Sequence, residues 1–229
     1  MLWYKGWLET RFLALFMFLY AVFPIVLFTL VARPSPTQDI QAFVGFFALY
    51  YSMIPVLLAG SGIKTQSNRA TKGLHGSVYF TLSLPVSRFQ LFATRVGLGM
   101  LETAVVLAVT PCAVWAIFSP FRVHITHSDL FAYWVTISVC AVGLYSIGVL
   151  LSTVLNDLYR GWASMFGVVF LYWFLRTARL PKAANIFQAM GESSPLFTHS
   201  LPWSSMGVSL GAAAVLLLIA NRVVESLEY

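Results

Sequence analysis

Apolar runs separated by short polar stretches divide the chain, and they predict its elements. Residues 12–32 and 40–60 carry no charge, residues 96–118 carry one acid, Glu102, and residues 130–155 again carry none. A shorter run, 161–175, has Trp162, Tyr172 and Trp173 near its ends, where aromatic rings anchor at a membrane–water interface. A last run spans about 202–221. Most of these runs reach the ~18 or more apolar residues needed to cross a hydrocarbon core as a helix. The pattern predicts an all-α integral membrane protein, a single transmembrane domain over 1–229 with six transmembrane helices. The run 130–155 is longer than a span needs, which predicts a tilt or an end emerging from the bilayer.

Composition agrees: 59% of the residues are hydrophobic and only 10% charged, against about 25% charged in soluble proteins. The longest polar interruption, 61–95, holds Lys64, Arg69, Lys72, Arg88 and Arg95 and no acid. Lys and Arg near membrane ends bias a loop to the cytoplasm. With both termini inside, Lys5, Arg11, those five, Arg160 and Arg222 face the cytoplasm, against Arg33, Arg122, Arg176, Arg179 and Lys182 outside. The expectation is a multi-pass protein of the inner or plasma membrane with both termini and the 61–95 loop cytoplasmic. The net charge of +6 then reflects topology and contact with anionic lipid; no nucleic-acid-binding module is present.

Before the first span, Leu2, Trp3, Trp7 and Leu8 interleave with Lys5, Glu9 and Arg11 at near-helical spacing. This predicts an interfacial helix over 1–11, its indoles at headgroup level, leading into a retained first span. The alternative is one longer helix. Pro24, Pro55 and Pro111 fall inside three different runs and predict kinks. Gly207 and Gly211 form a GxxxG at the start of the last run, a close-approach signature for an intrachain contact or a dimer seam.

Catalytic and metal chemistry find little support. GSGIKT at 60–65 lacks the spacing of a phosphate loop and follows a membrane span rather than a strand. His124 and His127 are spaced to share one metal if helical, but solvation is the ordinary state of such a pair in a loop. His75 and His199 are isolated in the sequence, no serine sits in a nucleophile elbow, and Cys112 and Cys140 read as small apolar residues. The chain is therefore not expected to be an enzyme. Glu102 is the one ionisable residue well inside a span; its charge costs at least ~2.5 kcal/mol at mid-bilayer unless paired or hydrated. It stands either as a pathway-lining residue or as a hydrogen bond between helices.

The order of these parts resembles the permease subunit of a type-2 ATP-binding-cassette (ABC) exporter: an interfacial N-terminal helix with a Glu-x-Arg pair (Glu9, Arg11), six spans, and a basic loop after span two ending in LSLPVSR at 82–88. The likeness covers nearly the whole chain by architecture, while the specific motif is about ten residues long. It implies a cytoplasmic coupling helix that docks into a separate ATPase subunit, with Gly76, Ser77, Val78, Tyr79, Phe80, Thr81, Leu82 and Ser83 at the contact and Leu84, Pro85 and Arg88 following. Val78, Tyr79 and Leu82 would form an apolar ridge and Pro85 would stop the helix; the alternative is an amphipathic loop helix lying on lipid. The resemblance further implies two ABC ATPase subunits, a second permease chain, and surrounding lipid as partners. No cofactor is expected on this chain, ATP and Mg belonging to the partner subunit. Residues 176–205, broken by Pro181, Gly191, Pro195 and Pro202, read as an external or a re-entrant segment. A non-transporting membrane scaffold or assembly factor, or a channel, is the alternative function; neither accounts for a docking helix ended by LPVSR.

Overall fold

The computed structural model describes residues 2–30, 40–59, 87–117, 125–155, 157–178, 181 and 185–226. The regular elements among the described residues are all helices, with no strand: α1 (Leu2–Leu30), α2 (Ile40–Leu58), α3 (Arg88–Leu107), α4 (Val109–Ile117), α5 (His127–Val154), α6 (Asp157–Thr177), α7 (Ile186–Met190), α8 (Pro195–Thr198) and α9 (Trp203–Ser226). Among the described residues, four stretches are long and apolar enough to cross a membrane: Thr10–Leu27 in α1, Phe89–Ala116 across α3 and α4, His127–Val154, and Trp203–Glu225. The second and fifth expected spans correspond to α2 and α6. The apolar stretch of α2 is shorter, Val44–Leu58, and α6 includes Asp157, Arg160 and Arg176.

Local chemistry sets the helix boundaries and moves two of them from where the apolar runs place them. Helix α1 continues without a break through residue 11, so the segment expected at the interface and the first span are one helix. Helix α3 starts at Arg88, eight residues ahead of the expected span, which makes 88–95 helix rather than loop. Ser87 and Gln90 supply the reason. The Ser87 hydroxyl accepts from the Gln90 N–H at 3.1 Å, and the Ser87 N–H donates to the Gln90 side chain at 3.4 Å, a reciprocal capping box. Thr126 and Asp129 form the same device at the start of α5. Pro111, with no N–H to offer Leu107 O, coincides with the break between α3 and α4 at Ala108. It falls in the first turn of α4, where an N–H would be unpaired in any case.

Helix α5 is the hub, with buried residues around its whole circumference from Tyr133 to Thr153. It packs chiefly against α9 and α2, and it also meets α3, α4, α6, α7 and α8. Small residues permit these approaches. A Cβ on Gly148 would lie 2.5 Å from Ala59 Cβ and 2.7 Å from Val56 O of α2, and one on Gly143 would lie 2.6 Å from the Ser209 hydroxyl of α9. Ser209 Oγ also accepts from the Gly143 N–H at 3.2 Å and donates to Cys140 O at 3.0 Å. The small residues that face α5 from α9 are thus Ser205, Ser209 and Ala213, spaced by four and all buried. Gly207 and Gly211 are exposed, with nothing within 4 Å of an added Cβ. The intrachain reading of that GxxxG is corrected: the helical register turns it to the outside.

The described part of the connection after α6, residues 185–202, is folded into the end of the bundle. Ile186, Phe187, Ala189, Met190 and Leu196 join the core made by α1 to α6 and α9. A Cβ on Gly191 would lie 3.1 Å from Gly45 Cα and 3.6 Å from Ala48 Cβ. This contact lies five to eight residues inside α2, roughly 8–12 Å along its axis.

Proline 24 exposes the constraint under which these helices pack. It sits inside α1 and leaves Tyr20 O without its helical donor. The Tyr50 hydroxyl of α2 donates to that carbonyl at 2.7 Å, and Tyr51 donates to the next one, Ala21 O, at 3.2 Å. The Tyr20 and Tyr50 rings stack with centroids 4.2 Å apart and planes 5° from parallel. In apolar surroundings a neighbouring helix must satisfy a carbonyl freed by proline. Tyr50→Phe is expected to lower stability by about 1 kcal/mol in detergent, and Pro24→Ala, which restores the helical donor, is expected to remove most of that cost. Denaturation of the two single variants and the double variant tests this; equal costs of Tyr50→Phe in both backgrounds would refute it.

Candidate functional site

The residues expected to carry function fall into three groups. Gly76 to Pro85, the expected ATPase contact, lie outside the described residues. Arg88 opens α3, one residue after its cap. Trp3 and Trp7 are exposed on α1, and Arg11 is exposed with its guanidinium 4.9 Å from the Phe12 ring centre. The side chain of Glu9 is not among those described. Glu102 is buried in α3.

Glu102 sits in a seam where α1 and α3 run side by side in the same direction. Gly6 and Gly97 bring the backbones together: a Cβ on Gly6 would lie 3.0 Å from a Leu98 methyl, and one on Gly97 would lie 3.3 Å from the Trp3 indole. One turn beyond Gly6, Thr10 Oγ1 lies 2.5 Å from Glu102 Oε1 and 3.1 Å from Gly6 O. The threonine has one proton to donate. Both bonds form together when the carboxyl donates to Thr10 and Thr10 donates to Gly6 O. Helix α3 is held on its other side as well. A Cβ on Gly99 would overlap the Tyr145 hydroxyl of α5, and Thr103 bonds back to Gly99 O at 2.7 Å. Trp134 of α5 donates its indole N–H to Ala104 O at 3.0 Å. Glu102 meets Thr10 between α1 and α3 and lines none of the cavities described below.

A second polar junction closes the opposite end of α5. Asp129 accepts from the Thr126 N–H at 3.0 Å and from the Thr126 hydroxyl at 2.7 Å, both at Oδ2. His199 Nδ1 lies 3.1 Å from the same oxygen. His199 is the C-cap of α8 and has φ 51°, a left-handed conformation uncommon for a residue with a side chain. Its reading as isolated is corrected: seventy positions separate it from Asp129, and only the inserted segment brings the two together. His127 is exposed, its ring tilted against Trp115 with centres 5.4 Å apart. With Cys112, Phe131 and Trp134 those two rings line a mostly apolar groove of about 470 Å³. His124 lies outside the described residues. Among the described residues no cluster of three or more His, Cys, Asp or Glu is placed to hold a metal ion. Cys112 is exposed, Cys140 is buried, and both are free thiols.

The seam makes a specific energetic claim. Glu102→Gln keeps a donor for Thr10 and is expected to leave stability nearly unchanged. Glu102→Leu and Thr10→Val should each destabilise, with a coupling of about 0.5–1.5 kcal/mol between them in a double-mutant cycle, the range measured for hydrogen bonds between membrane helices. Additive effects would show that the two groups do not depend on each other. No family model, no curated protein and no solved structure matches this chain.

Proposed function

We propose that this chain is the membrane-spanning subunit of a type-2 ABC exporter, forming a translocation pathway with a second permease chain and coupling to a separate ATPase that hydrolyses ATP. The observation that carries the reading is the basic segment after α2 that ends in LSLPVSR and runs directly into α3. Pro85 and Val86 alone separate Leu84 from the capping residue Ser87. A displacement of the docking helix would therefore reach α3 at its first turn. From α3 it would pass to α1 through Glu102 and Thr10, and to α5 through the Gly99–Tyr145 contact.

In this reading α2 and α6 complete six spans with α1, α3–α4, α5 and α9. The basic bias of the sequence puts both termini and the segment after α2 in the cytoplasm. The α7–α8 insertion then lies on the outer side, packed over the bundle as a cap on the exit. Backbone of this kind is tolerated at membrane depth where protein covers it. ATP and Mg belong to the partner subunit.

The coupling claim is tested by Tyr79→Asp and Leu82→Asp. A carboxylate buried without a partner in the docking contact disfavours the contact strongly, and each ~1.4 kcal/mol lost weakens docking about tenfold. Both variants should lose co-purification of the ATPase and ATP-dependent export while the membrane helices melt as in the parent. Normal export by both would overturn the docking assignment, and a loop helix lying on lipid would then describe the segment.

Topology has its own test. A cysteine at position 70, in a chain whose Cys112 and Cys140 are replaced by alanine, should resist an impermeant thiol reagent added to intact cells and react after permeabilisation. Labelling from outside would reverse the orientation.

A further inference from the structure

Where α6 ends, its lipid-like face gives way to charge. Phe170, Trp173 and Phe174 are 64%, 61% and 47% exposed, and Arg176 follows within one turn. This succession of exposed aromatics and a cation is the composition of a membrane–water boundary. At that level α2, α6 and α7 line a half-open pocket of about 200 Å³ with Gly45, Tyr172, Arg176, Asn185, Phe187, Gln188 and Glu192 on its walls, Arg176 and Glu192 being exposed at its mouth. Its volume is below the roughly 300–1,000 Å³ of drug-sized ligand sites and equals that of about six or seven waters at ~30 Å³ each.

The walls are arranged before any ligand arrives. Arg176 donates to the Tyr172 hydroxyl at 2.8 Å and lies over that ring, 5.9 Å from its centre, which fixes the guanidinium at one side of the cavity. Asn185 is spent on structure: its amide donates to Leu175 O at 3.2 Å and its oxygen accepts from the Gln188 N–H at 3.1 Å. Gly45 opens the α2 wall, since an added Cβ there would meet nothing within 4 Å. Arg176 and Glu192 share this space, yet no ion pair joins them. A cation and an anion lining one small cavity without neutralising each other are complementary to a ligand that carries both signs. The remaining guanidinium donors suit a phosphate or carboxylate, and the Glu192 carboxylate suits an ammonium.

We infer that this cavity is a binding site for a small zwitterion bearing an ammonium and a phosphate or carboxylate, supplied either as the headgroup of a phospholipid or as a free molecule. The site is independent of the exporter reading, because it rests on the geometry of α2, α6 and α7 alone.

The probes are phosphatidylethanolamine and phosphatidylglycerol with identical acyl chains, followed by native mass spectrometry of the full chain in an uncharged detergent, and soluble glycerophosphoethanolamine followed by calorimetry. The parent protein should retain phosphatidylethanolamine over phosphatidylglycerol. Gly45→Leu fills the cavity and improves helix propensity; it should weaken that retention by about tenfold or more without lowering the melting temperature, and Arg176→Ala should act in the same direction. Glu192→Gln removes the partner of the ammonium and should erase the preference between the two lipids. Binding of soluble glycerophosphoethanolamine would assign the site to the headgroup chemistry by itself, and binding of the lipid alone would assign it to membrane phospholipid. Equal retention of both lipids by the parent, unchanged retention by Gly45→Leu, or binding of neither probe would overturn the proposal.

Discussion

Backbone groups that lose their helical partner inside an apolar bundle must be met by another helix, because no water is there to meet them. This constraint explains why α1 and α2 lie as they do. Pro24 frees Tyr20 O, and Tyr50 satisfies it from α2 while stacking on the ring of Tyr20. The next tyrosine serves the next carbonyl. A sequence feature that weakens one helix thus becomes the feature that fixes its neighbour's rotation and height. Pro111 produces the opposite result: there the chain ends one helix and begins another, and both continue along the same stretch.

The polar side chains buried between helices follow the same logic. Glu102 is placed where Thr10 can reach it, and Thr10 in turn reaches Gly6 O. Glycines at 6 and 97 are needed because these hydrogen bonds form only when the two backbones come close. Ser209 does the corresponding work between α5 and α9, its hydroxyl accepting from the Gly143 N–H and donating to Cys140 O of α5. Each seam is a hydrogen bond held at a gap opened by a missing side chain. Together these seams tie α1, α3, α5 and α9 into one body, through which a push at the start of α3 would spread.

The two ends of the bundle are built differently. At one end, the LSLPVSR sequence runs into the capped start of α3. At the other end α7 and α8 fold inward, held by the Asp129–His199 contact, by Asn185, and by the approach of Gly191 to α2. In the proposed exporter the first of these ends would receive the ATPase, and α7 and α8 would cover the exit.

The sequence by itself determined the helical class, the membrane character and the approximate position of each apolar run, because helix period and uncharged length are local properties of the chain. It also contained the capping pairs Ser87–Gln90 and Thr126–Asp129, readable as Ser/Thr followed three residues later by a side chain that can reach back. Those pairs would have placed the starts of α3 and α5, but long apolar runs draw attention from the polar residues that delimit them. Tertiary structure decided what depends on rotation and on long separations. Gly207 and Gly211 match a packing motif in sequence, yet the register turns Ser205, Ser209 and Ala213 to α5 instead. Glu102 found Thr10, Asp129 found His199, and Arg176 came to share a cavity with Glu192 near Gly45 only when the helices assembled. Periodicity cannot assign such partners, because which residues face one another is set by the packing of whole helices.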